Sequence, residues 1–197
     1  MPMTTVTISR LFDDYVDAQS AVSRLREAGI VDDQISVIAN NADKWYAPDF
    51  AAGAGKGAAI GAGFGGFGGL LAGLGLLAIP GLGPVVAAGW FAAAATGAAV
   101  AGAAGGAIGM LAEAGVATNE AEIYAESIRR GGSLVSAKVP AERKEEFEAV
   151  LDPSSVDIGA RRDQLAAAGW RGFDPNAPDP TADDVQRHRA QRGTGPA

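Results

Sequence analysis

Apolar and polar residues alternate at the start of the chain. Val6 and Ile8 fall between Thr5, Thr7 and Ser9, the period of two expected of a half-buried strand over Thr5 to Leu11. The spacing then changes to a helical one: Ala18, Ala21, Val22, Leu25 and Ala28 share a face, Asp14 stands where an N-cap belongs, and Gly29 supplies the stop. Ile35, Val37 and Ile38 predict a second strand over Gln34 to Ala39. The three elements make a βαβ unit whose helix packs on one sheet face.

The same grammar returns near residue 119. Asn119 is the expected cap, Ala121, Tyr124, Ala125 and Ile128 form the apolar face, and Gly131-Gly132 end the helix before a strand at Ser133 to Val139. Pro140 opens another helix with Phe147, Val150 and Leu151 inward, Pro153 closes it, and Ser155 to Ala160 read as a strand. The pattern predicts an α+β protein, a small ferredoxin-like α/β sandwich with the helix at 119–130 added to the minimal order. Residues 1–42 and 118–172 are its two halves. Residues 173–197, with Pro175, Pro178, Pro180 and Pro196 and few apolar side chains, read as a mobile tail. A short helix from Thr181 to Arg192 within it places Asp183 and Asp184 early and Arg187, Arg189 and Arg192 late, as the helix dipole favours.

Between the halves, residues 43–117 are of another kind, since Gly57 to Ala112 contains no charged residue. That run far exceeds the roughly 20 residues needed to cross a bilayer core. Pro80-Gly81-Leu82-Gly83-Pro84 divides it into two arms, which predicts a glycine-rich helical hairpin. In the first arm Gly53, Gly57, Gly61, Gly65, Gly69 and Gly73 lie four apart; in the second, Gly89, Ala93, Gly97, Ala101, Gly105 and Gly109 repeat the interval. This is the small-xxx-small spacing that lets helix backbones touch, and it makes these twelve residues the candidates for helix packing and oligomerisation. A low-complexity Ala/Gly tract would not hold one register over both arms. Ile60, Phe64, Phe67, Leu71 and Leu74 form a separate, bulky face.

Lipid insertion of the first arm, Ala58 to Ile79, is a balance: its nine Leu, Ile and Phe residues favour it by roughly 3 to 5 kcal/mol, and its eight glycines oppose it. Lys56 and Glu113 bracket the uncharged run at one end, so only the tip at Gly81 to Gly83 would cross, leaving both termini on the same side.

Charge and chemistry narrow the function. A net charge of −7 without a local basic stripe excludes nucleic acid as a partner. With no cysteine there is no disulfide, thiolate nucleophile or cysteine zinc site. Met1 to Arg10 lacks the pattern of a signal peptide, so the soluble parts are expected in the cytoplasm. Gly61 to Gly66 matches G-x-G-x-x-G, but no strand precedes it and Val86 stands where a ribose-binding acid is needed. Gly55-Lys56-Gly57 lacks the first glycine and the Ser or Thr of a phosphate loop. His188, between Arg187 and Arg189, reads as solvated, and Asp13-Asp14, Asp32-Asp33 and Asp183-Asp184 read as caps. Trp45, Tyr46 and Phe50 suit either a membrane-interface anchor or packing beneath the hairpin. No catalytic, cofactor-binding or metal residue and no small-molecule substrate emerge, and an enzyme is not expected.

The run Tyr124-Ala125-Glu126-Ser127-Ile128-Arg129-Arg130-Gly131-Gly132-Ser133-Leu134-Val135 resembles the bacterial general stress proteins of the heat-induced type. Phe12, Ala18, Ala21, Leu25, Gly29, Ile30 and Ile35-Ser36-Val37 fit as well, as do Val156-Asp157-Ile158 and Ala168-Gly169-Trp170. The resemblance is to members that carry a glycine-rich hydrophobic hairpin between two soluble halves, and it implies stress-linked expression without catalytic residues. Arg129 and Arg130 are candidate contacts for an anion or a partner, because two adjacent arginines cannot share one helix face. The expectation is a non-enzymatic stress-response protein that associates with itself and is held at, or in, the cytoplasmic face of the inner membrane by its hairpin. The alternative is a soluble cage, ring or filament that buries the hairpins between subunits.

Overall fold

The computed structural model describes residues 4–45, 75–79, 82–94 and 106–192. Within them β1 (Thr5–Phe12), α1 (Tyr15–Glu27) and β2 (Ile35–Asn40) form as the periodicity predicts. The strand β5 (Ser133–Pro140) lies between β1 and β2, antiparallel to both, so β1 and β2 are parallel neighbours split by a third strand. Two further strands, β3 (Gly75–Ile79) and β4 (Gly83–Ala88), extend the sheet beyond β2 in the order β1-β5-β2-β4-β3.

Helices cover both faces of this sheet. On one side α1 and α4 (Lys144–Leu151) bury Ala18, Val22, Leu25, Phe147 and Leu151 against Ile8, Phe12, Ile35, Val37, Val135 and Val139. On the other, α2 (Gly106–Glu113) and α3 (Thr118–Arg129) bury Met110, Leu111, Tyr124 and Ile128 against Leu11, Ile38, Val85, Ala87 and Leu134. Double coverage explains why all six residues of β2 are buried. The α+β class expected from the sequence is observed, with the described residues arranged in three layers.

The helical hairpin is corrected where it can be seen. Gly75–Ile79 and Gly83–Ala88 are antiparallel strands, not helix, and β4 pairs with β2. A strand edge as apolar as that of β2 gains more from a hydrogen-bonded neighbour than Val85 and Val86 gain from a helix that their branching disfavours. The turn is closed by the Leu82 N–H donating to the Ile79 carbonyl at 3.0 Å, with Gly83 at φ +77°. The expected membrane-crossing tip is therefore packed inside the protein at Leu82, which is fully buried.

Of the twelve small residues in register, Gly89 occupies a turn at φ +70°, Ala93 lies in the helical stretch 90–94, and Gly109 lies on α2 with open space around it. Gly53, Gly57, Gly61, Gly65, Gly69, Gly73, Gly97, Ala101 and Gly105 lie outside the described residues. Gly89 is a glycine because its chain runs against β2, where a Cβ would meet the Ile35 carbonyl oxygen at 2.5 Å. Beside it the Ser36 hydroxyl donates to the Ala88 carbonyl (2.7 Å) and accepts from the Phe91 N–H (2.9 Å), turning β4 into the 90–94 helix. The Trp90 indole donates to the Ala114 carbonyl at 3.0 Å, with the Lys138 ammonium 4.7 Å from its ring centre.

Three smaller expectations change. Helix α3 begins at Thr118 after Ala117, so Asn119 is within it and not its cap. Asp14 takes the N-cap conformation at α1 without a side-chain hydrogen bond. The strand expected over Ser155 to Ala160 contracts to one bridge, Val156 to Leu11, because Asp157 accepts from the Ala160 N–H at 2.6 Å and starts α5 (Ile158–Ala167) there. The tail is also corrected. Up to Arg192 it is docked, with helix α6 (Ala182–Arg192) burying Val185 completely.

Candidate functional site

One end of the sheet, where β1 and β2 finish and β4 and β5 begin, gathers the residues that the sequence singled out. Helix α3 stops there because Gly131 takes φ +103° and Gly132 lies so close to the backbone that a Cβ would be 2.9 Å from the Ser127 carbonyl oxygen. Arg129 and Arg130 precede this turn. The Arg130 Nε donates to the Glu126 carboxylate at 2.5 Å, and an Arg129 guanidinium nitrogen lies 3.8 Å from the same oxygen. Glu126 is buried, and a buried carboxylate needs such partners. The anion that both arginines meet within this chain is therefore Glu126.

The C-terminal segment straps this end. Arg129 donates to the Pro178 carbonyl at 2.9 Å. Pro180 packs on Gly83, with its Cδ 2.8 Å from where a Cβ would stand. Arg189 donates to the Gly131 carbonyl at 3.2 and 3.3 Å and pairs with Asp43. Few apolar groups hold the strap, so its own helix start matters. The Thr181 hydroxyl accepts from the Asp184 N–H (3.2 Å), and the Asp184 carboxylate accepts from the Thr181 hydroxyl (2.7 Å) and N–H (3.1 Å). This reciprocal cap, the Thr181 side-chain bond first, lowers the Asp184 pKa below its ordinary value. A carboxylate depressed in the folded state lends stability above its unfolded pKa, near 3.9, and withdraws it as pH falls through the folded value. Amide exchange in residues 182–192 is thus expected to accelerate on acidification before that of β5 does. Uniform acceleration across both would refute the cap's role.

A cleft of about 590 Å³ opens beside the strap, between α5 and α6. Arg161, Asp13, Arg130, Ser155, Leu165 and His188 are among its walls. Arg161 is 5% exposed, and one of its guanidinium nitrogens donates to Asp13 at 2.6 Å. Sequence reasoning missed Arg161, because nothing local marks it and its partner lies 148 positions away. His188 lines this cleft where a solvated side chain was expected.

A shallower depression on the α3 side contains Arg10, Glu120, Tyr124 and Asp152. Burial, then the Glu120 carboxylate, raises the Tyr124 pKa, so its hydroxyl stays protonated and donates to Glu120 at 3.3 Å. Burial opposes the charge of Arg10, but its bond to Asp152 (2.7 Å) and the nearby Glu148 outweigh it and raise its pKa. Neither group is poised to exchange a proton near neutral pH. Trp45 stacks on Tyr15 at 4.1 Å between ring centres and donates to the Asn40 carbonyl at 2.7 Å, while Tyr46 and Phe50 lie outside the described residues. Among the described residues no helix is long and apolar enough to cross a membrane, and no group of three or more His, Cys, Asp or Glu is placed to hold a metal ion.

Together these features define an antiparallel α+β domain, closed at one end of its sheet by a C-terminal strap. Residues 7–78 match the family model of the heat induced stress protein YflT domain, a similarity that supports a general stress-response role. No curated protein and no solved structure matches the chain.

Proposed function

We propose that this is a non-enzymatic stress-response protein that works by associating with copies of itself through the glycine register Gly53, Gly57, Gly61, Gly65, Gly69 and Gly73. One observation carries the reading. The later part of the uncharged run is spent on the domain's own core, through Leu82, Val85, Phe91, Met110 and Leu111. The register, by contrast, leads directly into β3, an outer strand whose Leu76 is 42% exposed. The domain is read as a ferredoxin-like sandwich with added strands, supported by the β1-α1-β2 crossover split by β5. In this reading a second copy covers the uncharged segment that adjoins this outer strand.

Replacing Gly65 and Gly69 together by Leu is expected to abolish assembly in detergent-free buffer, measured by mass photometry, because the larger side chains hold the backbones apart. Phe67→Ala with Leu71→Ala is expected to spare it. A wild-type protein that remains a monomer would overturn the proposal, as would Leu variants that assemble normally.

A second reading rests on the length of the uncharged run: attachment at the cytoplasmic face of the inner membrane through the part that precedes β3. Carbonate-washed membranes test it, and recovery wholly in the soluble fraction would exclude it.

A further inference from the structure

We propose that the cleft between α5 and α6 binds a small oxyanion, a carboxylate or phosphate group on a compact molecule, with Arg161 as its anchor. The inference is independent of self-association. It begins from a cation in an unusual position: Arg161 is almost wholly buried in the side of α5, where an ionised group is costly unless well paired. A guanidinium carries five N–H donors in a planar fork. Here one bond, to Asp13 at 2.6 Å, is made, and the buried Nε has no acceptor. Asp13 itself is 35% exposed, so the pair is lopsided, with the cation sealed in and its counter-ion at the surface.

What the fork lacks is a second acceptor, and the space to receive one adjoins it. The cleft, about 590 Å³, lies within the size range of small-molecule sites. Arg130 and His188 add cationic or donor groups to its walls, Ser155 adds a hydroxyl, and Leu165 an apolar surface for the remainder of a ligand. An oxyanion there would accept from the guanidinium in the forked manner that makes Arg–carboxylate and Arg–phosphate contacts strong. Asp157 also lines the cleft, but its carboxylate is committed to the first turn of α5. The helix terminus is thus already filled, and recognition falls to Arg161. Asp13 acts as the internal competitor: a ligand must share or displace its hold on Arg161, which keeps affinity modest.

Competition gives the test a sign that a merely structural ion pair would not produce. The full chain is titrated with inorganic phosphate, and separately with acetate, at constant ionic strength set by chloride, while backbone amide shifts are followed by NMR. Saturable shifts are expected at residues 154–165 and 188–191. Asp13→Asn, which removes the competing charge, is expected to tighten phosphate binding by about tenfold. Arg161→Gln is expected to abolish the response; should that variant fail to fold, Asp13→Asn decides alone. Saturation by both anions supports a site that reads the carboxylate or phosphate head alone, and saturation by phosphate only supports a phosphate-bearing ligand. Shifts that do not saturate, that fall outside the cleft, or that Asp13→Asn leaves unchanged or weakens would overturn the proposal.

Discussion

Gly89→Ala is expected to destabilise the domain by about 3 kcal/mol, read as a lower urea midpoint by circular dichroism. A non-glycine residue in the left-handed region costs roughly 1 to 2 kcal/mol, and Gly89 is at φ +70°. The new Cβ also meets the Ile35 carbonyl oxygen at 2.5 Å, so β2 must shift at a point where it is buried on both faces, which adds about 1 to 3 kcal/mol. The experiment discriminates by sign. Were Gly89 the first small residue of a helical arm, alanine there would stabilise by about 1 kcal/mol. A raised midpoint would restore the helical reading of this segment.

Phe91→Ala is expected to cost about 3 to 5 kcal/mol, the range for deleting a buried aromatic ring. Phe91 is fully buried among Ile38, Val85, Met110 and Leu111, and its backbone N–H is held by the Ser36 hydroxyl. Domains of this size are stable by only about 5 to 15 kcal/mol, so the loss should be visible as partial unfolding near 37 °C. A residue that faced lipid, or a neighbouring copy, would give a different result: the isolated protein would keep its stability and lose only membrane recovery or assembly. Unchanged stability would remove residues 82–94 from the core.

The proposed self-association and the proposed anion binding rest on separate parts of the sequence. The glycine register precedes the outer strand β3 in sequence, whereas the cleft lies between α5 and the strap. Variants at Gly65 and Gly69 should therefore leave phosphate binding unchanged, and those at Asp13 should leave assembly unchanged.

Much of the first half was legible in the sequence because its signals are local. The alternation around Val6 and Ile8, the helical spacing from Ala18 to Ala28 and the apolar run at Ile35 each fit one backbone period, and the structure adopts each. The same holds for the α3 face ending at Gly131-Gly132 and for β5. Arg129 and Arg130 were legible as a cationic helix end. That they serve Glu126 and the Pro178 carbonyl was not, because the docking of the tail is a tertiary event.

Where the sequence misled, a distant partner outweighed a local preference. Four-residue spacing put Gly89 on a helix face with Ala93 and Gly109, which are helical, yet β2 had an open apolar edge, and pairing with it made strands of residues 83–88 and a turn of Gly89. Asp157 ended a strand that the apolar pattern at Val156 and Ile158 favoured, since a carboxylate can satisfy a helix's first N–H groups. By itself the sequence determined the elements whose residues need only their neighbours along the chain, together with the anionic charge and the absence of cysteine. Only the tertiary structure decided the sheet order, the three layers, the docked strap and the burial of Arg161 against Asp13, because these depend on contacts between residues far apart in sequence, and no periodicity encodes them.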